Sequence, residues 1–211
     1  MTTIKTHQII NIIVVFILTT LFTNSCSSDS NSNTNLETID LISPEDQEAL
    51  LFMLEEEKLA RDTYSFLSDT WQLKQFENIK NSEQSHMNAI INLLNTYNIE
   101  YTVLPYGAFF NTDLQNFYNQ FIEDGQISQS NALQIGATIE DLDIVDLQEF
   151  IDKSSHDMLI AVFESLKCGS KNHLRSFVSL IEAAGDTYNH QFLTLEEYNN
   201  IISSENEKCN I

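Results

Sequence analysis

Apolar residues recur at steps of three and four along four long segments, a spacing that places side chains on one face of an α-helix. The segments cover residues 50–71, 76–97, 133–150 and 159–184. The chain contains only 5 glycines and 2 prolines in 211 residues, and so few turn-forming residues disfavour a protein built of many short strands. We therefore predict an all-α protein with four long helices.

Local signals mark where the helices begin and how they connect. Residues 43–46, Ser-Pro-Glu-Asp, start a helix with a capping serine, a proline in the first turn and two acids near the positive end of the dipole. Residues 101–107 are predicted to form an extended loop, and residues 111–124 a short amphipathic helix stopped by Gly125. A last short helix is predicted at residues 195–202. The expected fold is a four-helix bundle whose long connection between helices two and three carries a short extra helix.

Six ionisable residues interrupt the apolar stripes that should face the core. They are Glu57 in the first stripe, Glu83 and His86 in the second, Glu140 and Asp143 in the third, and His173 in the fourth. An unpaired carboxylate in a bundle core costs several kcal/mol, so these residues require compensation. Four carboxylates at one level would repel one another, and two divalent cations would neutralise all four. The pattern predicts a dinuclear site, and carboxylates with two imidazoles suit iron or manganese better than thiolate-bound metals.

Other interpretations of these residues stay open. Glu57–His173 or Glu83–His86 pairs would form a hydrogen-bonded polar core without metal. The chain would then be a metal-free helical bundle that binds a protein or a ligand at the cell envelope. A site that sequesters metal without turnover is a third option. Arg61, four residues after Glu57, could also pair with it and leave it partly exposed.

The neighbouring polar side chains have simpler interpretations. Solvent exposure is expected for residues off the apolar faces, namely Glu55, Glu56, Lys58, Asp62 and His156. His190 lies in a predicted connector and is not expected to bind metal. Tyr64 lies on the first apolar face, either as a core aromatic or as a redox-active or hydrogen-bonding neighbour of the metal.

Three segments resemble the DUF2202 group, a family within the ferritin-like, rubrerythrin-related superfamily. They are residues 54–64 (LEEEKLARDTY), residues 79–87 (IKNSEQSHM) and residues 169–174 (GSKNHL). The resemblance extends over residues 43–184 and implies a ferritin-like four-helix bundle. The superfamily pattern is a glutamate on helix one, Glu-x-x-His on helix two, carboxylates on helix three and Glu-x-x-His on helix four.

The resemblance also implies roles for the candidate ligands. Glu83 and Glu140 would bridge two metal ions, Glu57 and Asp143 would be terminal carboxylates, and His86 and His173 would each hold one ion. Ser170 stands where the last motif has its glutamate, and Asp143 would restore the count of four carboxylates. The implied chemistry is oxidation of Fe²⁺ by O₂ or peroxide, with Tyr64 as a candidate catalytic residue.

The first residues indicate an exported protein rather than part of the fold. Lys5 precedes an apolar run at residues 9–22, which is too short to span a bilayer comfortably and is typical of a signal peptide. The run ends at Thr23-Asn24-Ser25-Cys26, which resembles a lipobox and implies cleavage and acylation at Cys26. An uncleaved anchor and an ordinary signal peptide are the alternatives. The prediction is a protein of the bacterial cell envelope, lipid-anchored to the membrane.

This interpretation divides the chain into four parts. Residues 1–25 are the predicted signal peptide, 26–42 a flexible tether, 43–203 the helical domain and 204–211 a polar tail. The tether is assigned from its apolar-free start, which is typical of flexible linkers.

Charge and cysteine content limit the partners. The 10 basic and 31 acidic residues give a formal net charge of −21, which excludes a nucleic-acid binder working by phosphate neutralisation. Cys168 and Cys209 could pair in an oxidising compartment, but spacing alone does not decide this. No Cys-x-x-Cys motif is present, so no rubredoxin-type iron site is encoded. The expected partners are the membrane, through Cys26, and an unidentified electron donor or other protein; a homodimer is also open.

Overall fold

The protein is described by a computed structural model that covers residues 41–210. This part of the chain contains no strand. Its six helices are α1 (Pro44–Trp71), α2 (Lys74–Thr96), α3 (Thr112–Gly125), α4 (Gln129–Lys153), α5 (Asp157–Ala183) and α6 (Leu195–Ser203). The all-α prediction is confirmed, and α3 is the short extra helix expected between the second and third long helices. The predicted signal peptide and Cys26 lie outside the described residues.

The helix ends follow the local signals in the sequence. The Ser43 side chain accepts a hydrogen bond from the Asp46 amide at 3.0 Å, and Pro44 occupies the first turn of α1. At the other end of α1, Gln72 adopts a left-handed conformation with φ of 56°, which ends the helix and lets α2 begin at once. α1 and α2 therefore form one antiparallel pair. No helix in the described part of the chain is long and apolar enough to cross a membrane.

The four long helices close into a bundle. The most extensive contacts join α1 with α2 and α4 with α5, and the two pairs meet where α1 contacts α4 and α2 contacts α5. α3 packs against α1 and α4, and α6 packs against α5. Short connections within each pair and a long crossover between pairs give this arrangement.

The core consists of two apolar clusters rather than one. Along α1, buried apolar residues between 49 and 54 belong to one cluster and those between 59 and 67 to the other. Along α5, residues between 159 and 166 join the first of these clusters and residues between 174 and 181 the second. A layer of polar side chains lies between the clusters, and apolar burial on both sides of it stabilises the bundle.

Candidate metal centre

The six predicted metal ligands all lie in the polar layer between the two apolar clusters. α1 contributes Glu57, α2 contributes Glu83 and His86, α4 contributes Glu140 and Asp143, and α5 contributes His173. Five of them are at most 5% exposed, and His173 is 13% exposed. The helical spacing therefore brings ligand-type side chains from all four long helices into one water-poor layer.

Glu83 lies between two groups of ligand atoms. Its Oε2 is 2.8 Å from His86 Nδ1, which is also 3.1 Å from Glu57 Oε2. Its Oε1 is 2.9 Å from His173 Nδ1, which is 3.4 Å from Glu140 Oε2. In each group the three ligand atoms lie within 4.8 Å of one another. Glu83 thus belongs to both groups, and Glu140 belongs to one.

Asp143 occupies a different position from the other five. It is not part of either compact group. Its Oδ2 accepts a hydrogen bond from the Ser170 hydroxyl, and its buried Oδ1 has no hydrogen-bond partner in the described part of the protein. Ser170, which replaces the expected helix-four glutamate, therefore holds the carboxylate that was predicted to compensate for that glutamate.

Tyr64 borders the second group. Its hydroxyl donates to Glu140 Oε1 at 2.6 Å and lies 3.2 Å from the Gly136 carbonyl oxygen. Burial raises the pKa of Tyr64 well above its ordinary value, and the charges of Glu140 and Glu83 raise it further. The phenol is therefore a fixed hydrogen-bond donor to a candidate ligand.

Burial and charge pairing determine the protonation of the two groups. Burial raises the pKa of Glu57 to about 7, although pairing with His86 opposes this shift. Burial lowers the pKa of His173, but Glu83 and Glu140 outweigh this effect and raise it to about 10. Burial also opposes ionisation of Glu83, yet contact with both imidazoles lowers its pKa overall. Without metal, the imidazoles supply the positive charge, and they are too few to balance every carboxylate.

Four side-chain atoms of the layer lack a hydrogen-bond partner within residues 41–210. They are Glu57 Oε1, Glu83 Oε1, Asp143 Oδ1 and His173 Nδ1. Glu83 Oε1 and His173 Nδ1 are close to each other but are not aligned for a hydrogen bond. Buried polar atoms are rarely left without partners, so the site is chemically incomplete. Carboxylate oxygens and imidazole nitrogens are the donors that iron and manganese bind, and this donor set fits such ions.

Two glycines allow close packing, one against the layer and one against the neighbouring apolar cluster, and neither role was predicted from the sequence. A Cβ atom on Gly169 would lie 2.7 Å from His86 Nε2, so only glycine allows this close approach of α5 to the ring. A Cβ on Gly136 would lie 2.5 Å from the Phe177 ring. Glycine inside a helix destabilises it by about 0.5–1 kcal/mol, and that cost was the signal that could have identified both positions.

Several solvent-exposure predictions are wrong. Lys58 and Asp62 are buried as an ion pair of 2.6 Å, and Glu56 is buried with neither carboxylate oxygen hydrogen-bonded within residues 41–210. Burial raises the pKa of Glu56 well above its ordinary value, and nearby Asp143 adds to the shift. His156 is buried as the N-cap of α5. Glu55, which was also predicted to be exposed, is half-buried.

Arg61, the other partner considered for Glu57, does not pair with it. Arg61 donates to Asp62 Oδ1 and to Gln84 Oε1 instead. Its guanidinium therefore completes a different buried acid, and Glu57 stays available to His86. His190 Nδ1 is 2.6 Å from the Leu193 carbonyl oxygen, away from the polar layer.

An all-helical bundle with a buried carboxylate–imidazole cluster is the class of protein that this fold and site define. Residues 46–205 match the family described as an uncharacterized protein domain, DUF2202. The chain belongs to this family.

One relative is similar to this chain in both sequence and structure. The chain is 45% identical over 169 residues to an uncharacterized protein, MJ0754, from Methanocaldococcus jannaschii, covering 79% of this chain and 91% of that protein. It is also similar to the crystal structure of hypothetical protein MJ0754 from Methanococcus jannaschii, with a TM-score of 0.77 over 79% of this chain and 96% of the solved one. The fold is therefore shared with an experimentally solved relative.

Proposed function

We propose that the chain is a ferritin-like protein whose polar layer holds two iron or manganese ions. One observation carries the proposal: the two oxygens of Glu83 face two different imidazoles, each with a further carboxylate beside it. This is the arrangement a bridging carboxylate needs, and Glu-x-x-His on facing helices is typical of carboxylate-bridged metal sites in bundles.

The candidate ligands would bind the two ions as follows. Glu57 and His86 would hold one ion, Glu140 and His173 the other, and Glu83 both. Ions held here would supply electron transfer for the oxidation of Fe²⁺ by O₂ or peroxide. The apolar clusters on both sides exclude water and strengthen the electrostatic interactions in the layer. The Tyr64 hydroxyl donates a hydrogen bond to Glu140 Oε1 and so orients that carboxylate.

The first experiment is the metal content of the protein lacking residues 1–26, purified without chelator and titrated with Fe²⁺ under anaerobic conditions. We expect about two ions per chain. Glu83→Gln should lower this number strongly, because it removes the one carboxylate that serves both groups. Glu77→Gln is the matched control, since Glu77 lies on the same helix and its side chain is exposed. One ion per chain would indicate a single occupied group, and none would refute the metal centre.

A second candidate function is a metal-free helical module that binds a protein or a ligand. The observation in its favour is that His86 and His173 already pair with carboxylates. The two functions differ in the effect of His86→Leu. The module predicts a tolerated or stabilising substitution, because hydrophobic replacement of buried ion pairs is often neutral or better. The metal centre predicts loss of bound metal and of the stabilisation that metal provides.

We further propose that the protein is anchored in the bacterial cell envelope through a lipid on Cys26. The lipobox-like sequence before Cys26 and the Cys168–Cys209 disulfide support this proposal, because disulfides persist in oxidising compartments. A fatty acid supplied to growing cells should label the wild-type protein covalently and should not label Cys26→Ser. Absence of label from the wild-type protein would refute the lipid anchor. A complete redox cycle would also need an electron donor from another protein.

A further inference from the structure

A cleft leads from the protein surface to the imidazole side of the candidate metal centre. It has a volume of about 320 Å³. The residues that line it include Ser82, Ser85, His86, His173, Asn172 and Cys209. His173 is the most exposed of the six candidate ligands. Both rings turn Nδ1 toward the carboxylates, so the cleft reaches the outer side of the two imidazoles.

Two of the last described residues, Glu207 and Cys209, form part of the wall of this cleft. We call residues 204–210 the C-terminal strap; they follow α6 and are mostly exposed. Cys209 forms a disulfide with Cys168 on α5. Asn172 donates to the Glu207 carbonyl oxygen at 3.0 Å and accepts from the Glu207 amide at 2.9 Å. The strap thus attaches to α5 immediately beside His173.

The noncovalent attachment of the strap is weak. Besides the Asn172 contacts, Arg175 donates to the Glu207 carboxylate at 2.9 Å and to Ser204 Oγ at 2.8 Å, and solvent-exposed contacts of this kind contribute little to stability. The strap buries no large apolar side chain of its own. The Cys168–Cys209 bond is the covalent contact that holds the strap beside the cleft, and segments with few buried contacts open readily once a covalent restraint is removed.

We propose that the C-terminal strap is a disulfide-locked cover over the entrance of the candidate metal centre, and that a dithiol reductant opens it. In this step the dithiol transfers two electrons and two protons to the Cys168–Cys209 bond. The S–S bond breaks, two thiols form, and the reductant becomes a disulfide. The part of the proposal that concerns metal rests on the proposed function, whereas the covering of the cleft does not.

The test measures access to the cleft without relying on metal. Ser82 lines the cleft and is half-buried, so Ser82→Cys introduces a reporter thiol there. Its alkylation by N-ethylmaleimide is measured in the full chain with the disulfide intact and in a Cys168→Ser/Cys209→Ser background. We expect alkylation to be about tenfold faster without the disulfide, as local opening predicts. Asn88→Cys, on the exposed face of the same helix, is the matched control and should react equally in both backgrounds.

A second measurement guards against a variant that folds poorly. Amide hydrogen exchange at Glu207 should speed up when wild-type protein is reduced with dithiothreitol, while exchange within α2 and α5 stays slow. Equal alkylation of Ser82→Cys in the two backgrounds, or unchanged exchange at Glu207, would overturn the proposal.

The outcomes separate this proposal from the metal centre. Faster alkylation in a protein that binds no metal would support the cover and refute the centre. Unchanged alkylation in a protein that binds metal would support the metal centre and overturn the cover. If both hold, a chelator should remove metal about tenfold faster from the reduced protein than from the oxidised one.

Discussion

Two groups of buried charged side chains lie within about two turns of each other on α1, and they differ in how completely their polar atoms are paired. In the first group, Lys58 Nζ donates to Asp62 Oδ2 at 2.6 Å and to the carbonyl oxygens of Pro105 and Ala108 at 3.1 and 3.0 Å. Arg61 donates to Asp62 Oδ1, and the Gly107 amide donates to Asp62 Oδ2. We call Lys58, Arg61 and Asp62 the loop anchor, because they fix the loop before α3.

In the candidate metal centre, by contrast, several buried polar atoms have no hydrogen-bond partner within residues 41–210. Glu57 Oε1 and Asp143 Oδ1 are buried without a hydrogen-bond partner within residues 41–210, and acids outnumber imidazoles. Burial raises the pKa of Asp143 well above its ordinary value, and Glu57 and Glu140 add to the shift. The same helix therefore contributes to one charged group whose polar atoms are fully paired and to one whose polar atoms are not. This difference distinguishes a structural ion pair from a binding site better than burial alone does.

The largest expected effect concerns the loop anchor. Asp62→Ala leaves the Lys58 ammonium buried without a carboxylate, which should lower the free energy of unfolding by about 3–5 kcal/mol. Urea denaturation of the metal-free protein measures this change. Asp69→Ala, at an exposed position of the same helix, should change it by less than about 0.5 kcal/mol. The metal content of folded Asp62→Ala protein should not change, and an effect on metal as large as that on stability would erase the distinction between the two groups.

The next expected effect is the pH dependence of the metal-free protein. The pKa of Glu57 is raised to about 7 from 4.5, so its stabilising contribution is complete below pH 4.5 and is lost as the pH rises through 7. The pKa of His173 is raised to about 10 from 6.5, so its contribution is complete below 6.5 and is lost as the pH rises through 10. The Glu57 shift alone predicts that the free energy of unfolding falls by roughly 3 kcal/mol as the pH rises from about 4.5 to 7, and the His173 shift predicts a further fall as the pH rises toward 10.

Denaturation in chelator across this range tests the prediction, and two comparisons sharpen it. Glu57→Gln should remove the part of the fall between about pH 4.5 and pH 7. Saturating metal should reverse the trend, because metal displaces protons from its ligands and binds more tightly as pH rises. Glu83 acts in the opposite direction: its pKa is lowered, so its contribution is present at neutral pH and is lost on acidification below 4.5. A stability that rises steadily toward pH 9 without metal would contradict the assigned shifts.

Prediction from the sequence succeeded where the determining interactions are local. The four long helices and α3 follow from hydrophobic spacing and capping residues, and the ligand-type residues were recognised because they interrupt that spacing. The burial of Lys58 and Asp62 could not be predicted in this way. It depends on the loop at residues 105–108 packing over the outer face of α1, and helical periodicity contains no information about such a loop.

The same limit explains two further differences. Cys168 and Cys209 are 41 residues apart in sequence, and only the return of the chain after α6 brings them together. The distinction between Glu140, which joins a compact group, and Asp143, which is held by Ser170, depends on side-chain placement around one turn of α4. Sequence spacing assigns both residues to one face and cannot separate their roles.

The smallest expected effect concerns the hydrogen bond that links Tyr64 to the centre. Tyr64→Phe removes the donor to Glu140 Oε1 while keeping the ring that packs against Phe76 and Phe177. The free energy of unfolding should fall by about 1 kcal/mol, and the metal content should stay unchanged because Glu140 keeps its position beside His173. The rate of Fe²⁺ oxidation by O₂, followed by absorbance, should fall, because the carboxylate loses the group that orients it.

Tyr188→Phe provides the matched control for this last prediction. The Tyr188 hydroxyl is also buried and donates to a carboxylate, Asp141 Oδ2, at 2.7 Å, but Asp141 accepts further hydrogen bonds from backbone amides and is no part of the centre. Its loss should therefore cost a similar amount of stability and leave oxidation unchanged. Equal rates in the two variants would mean that Tyr64 only packs the core. A slower rate in Tyr64→Phe alone would mean that the phenol acts on the centre through Glu140.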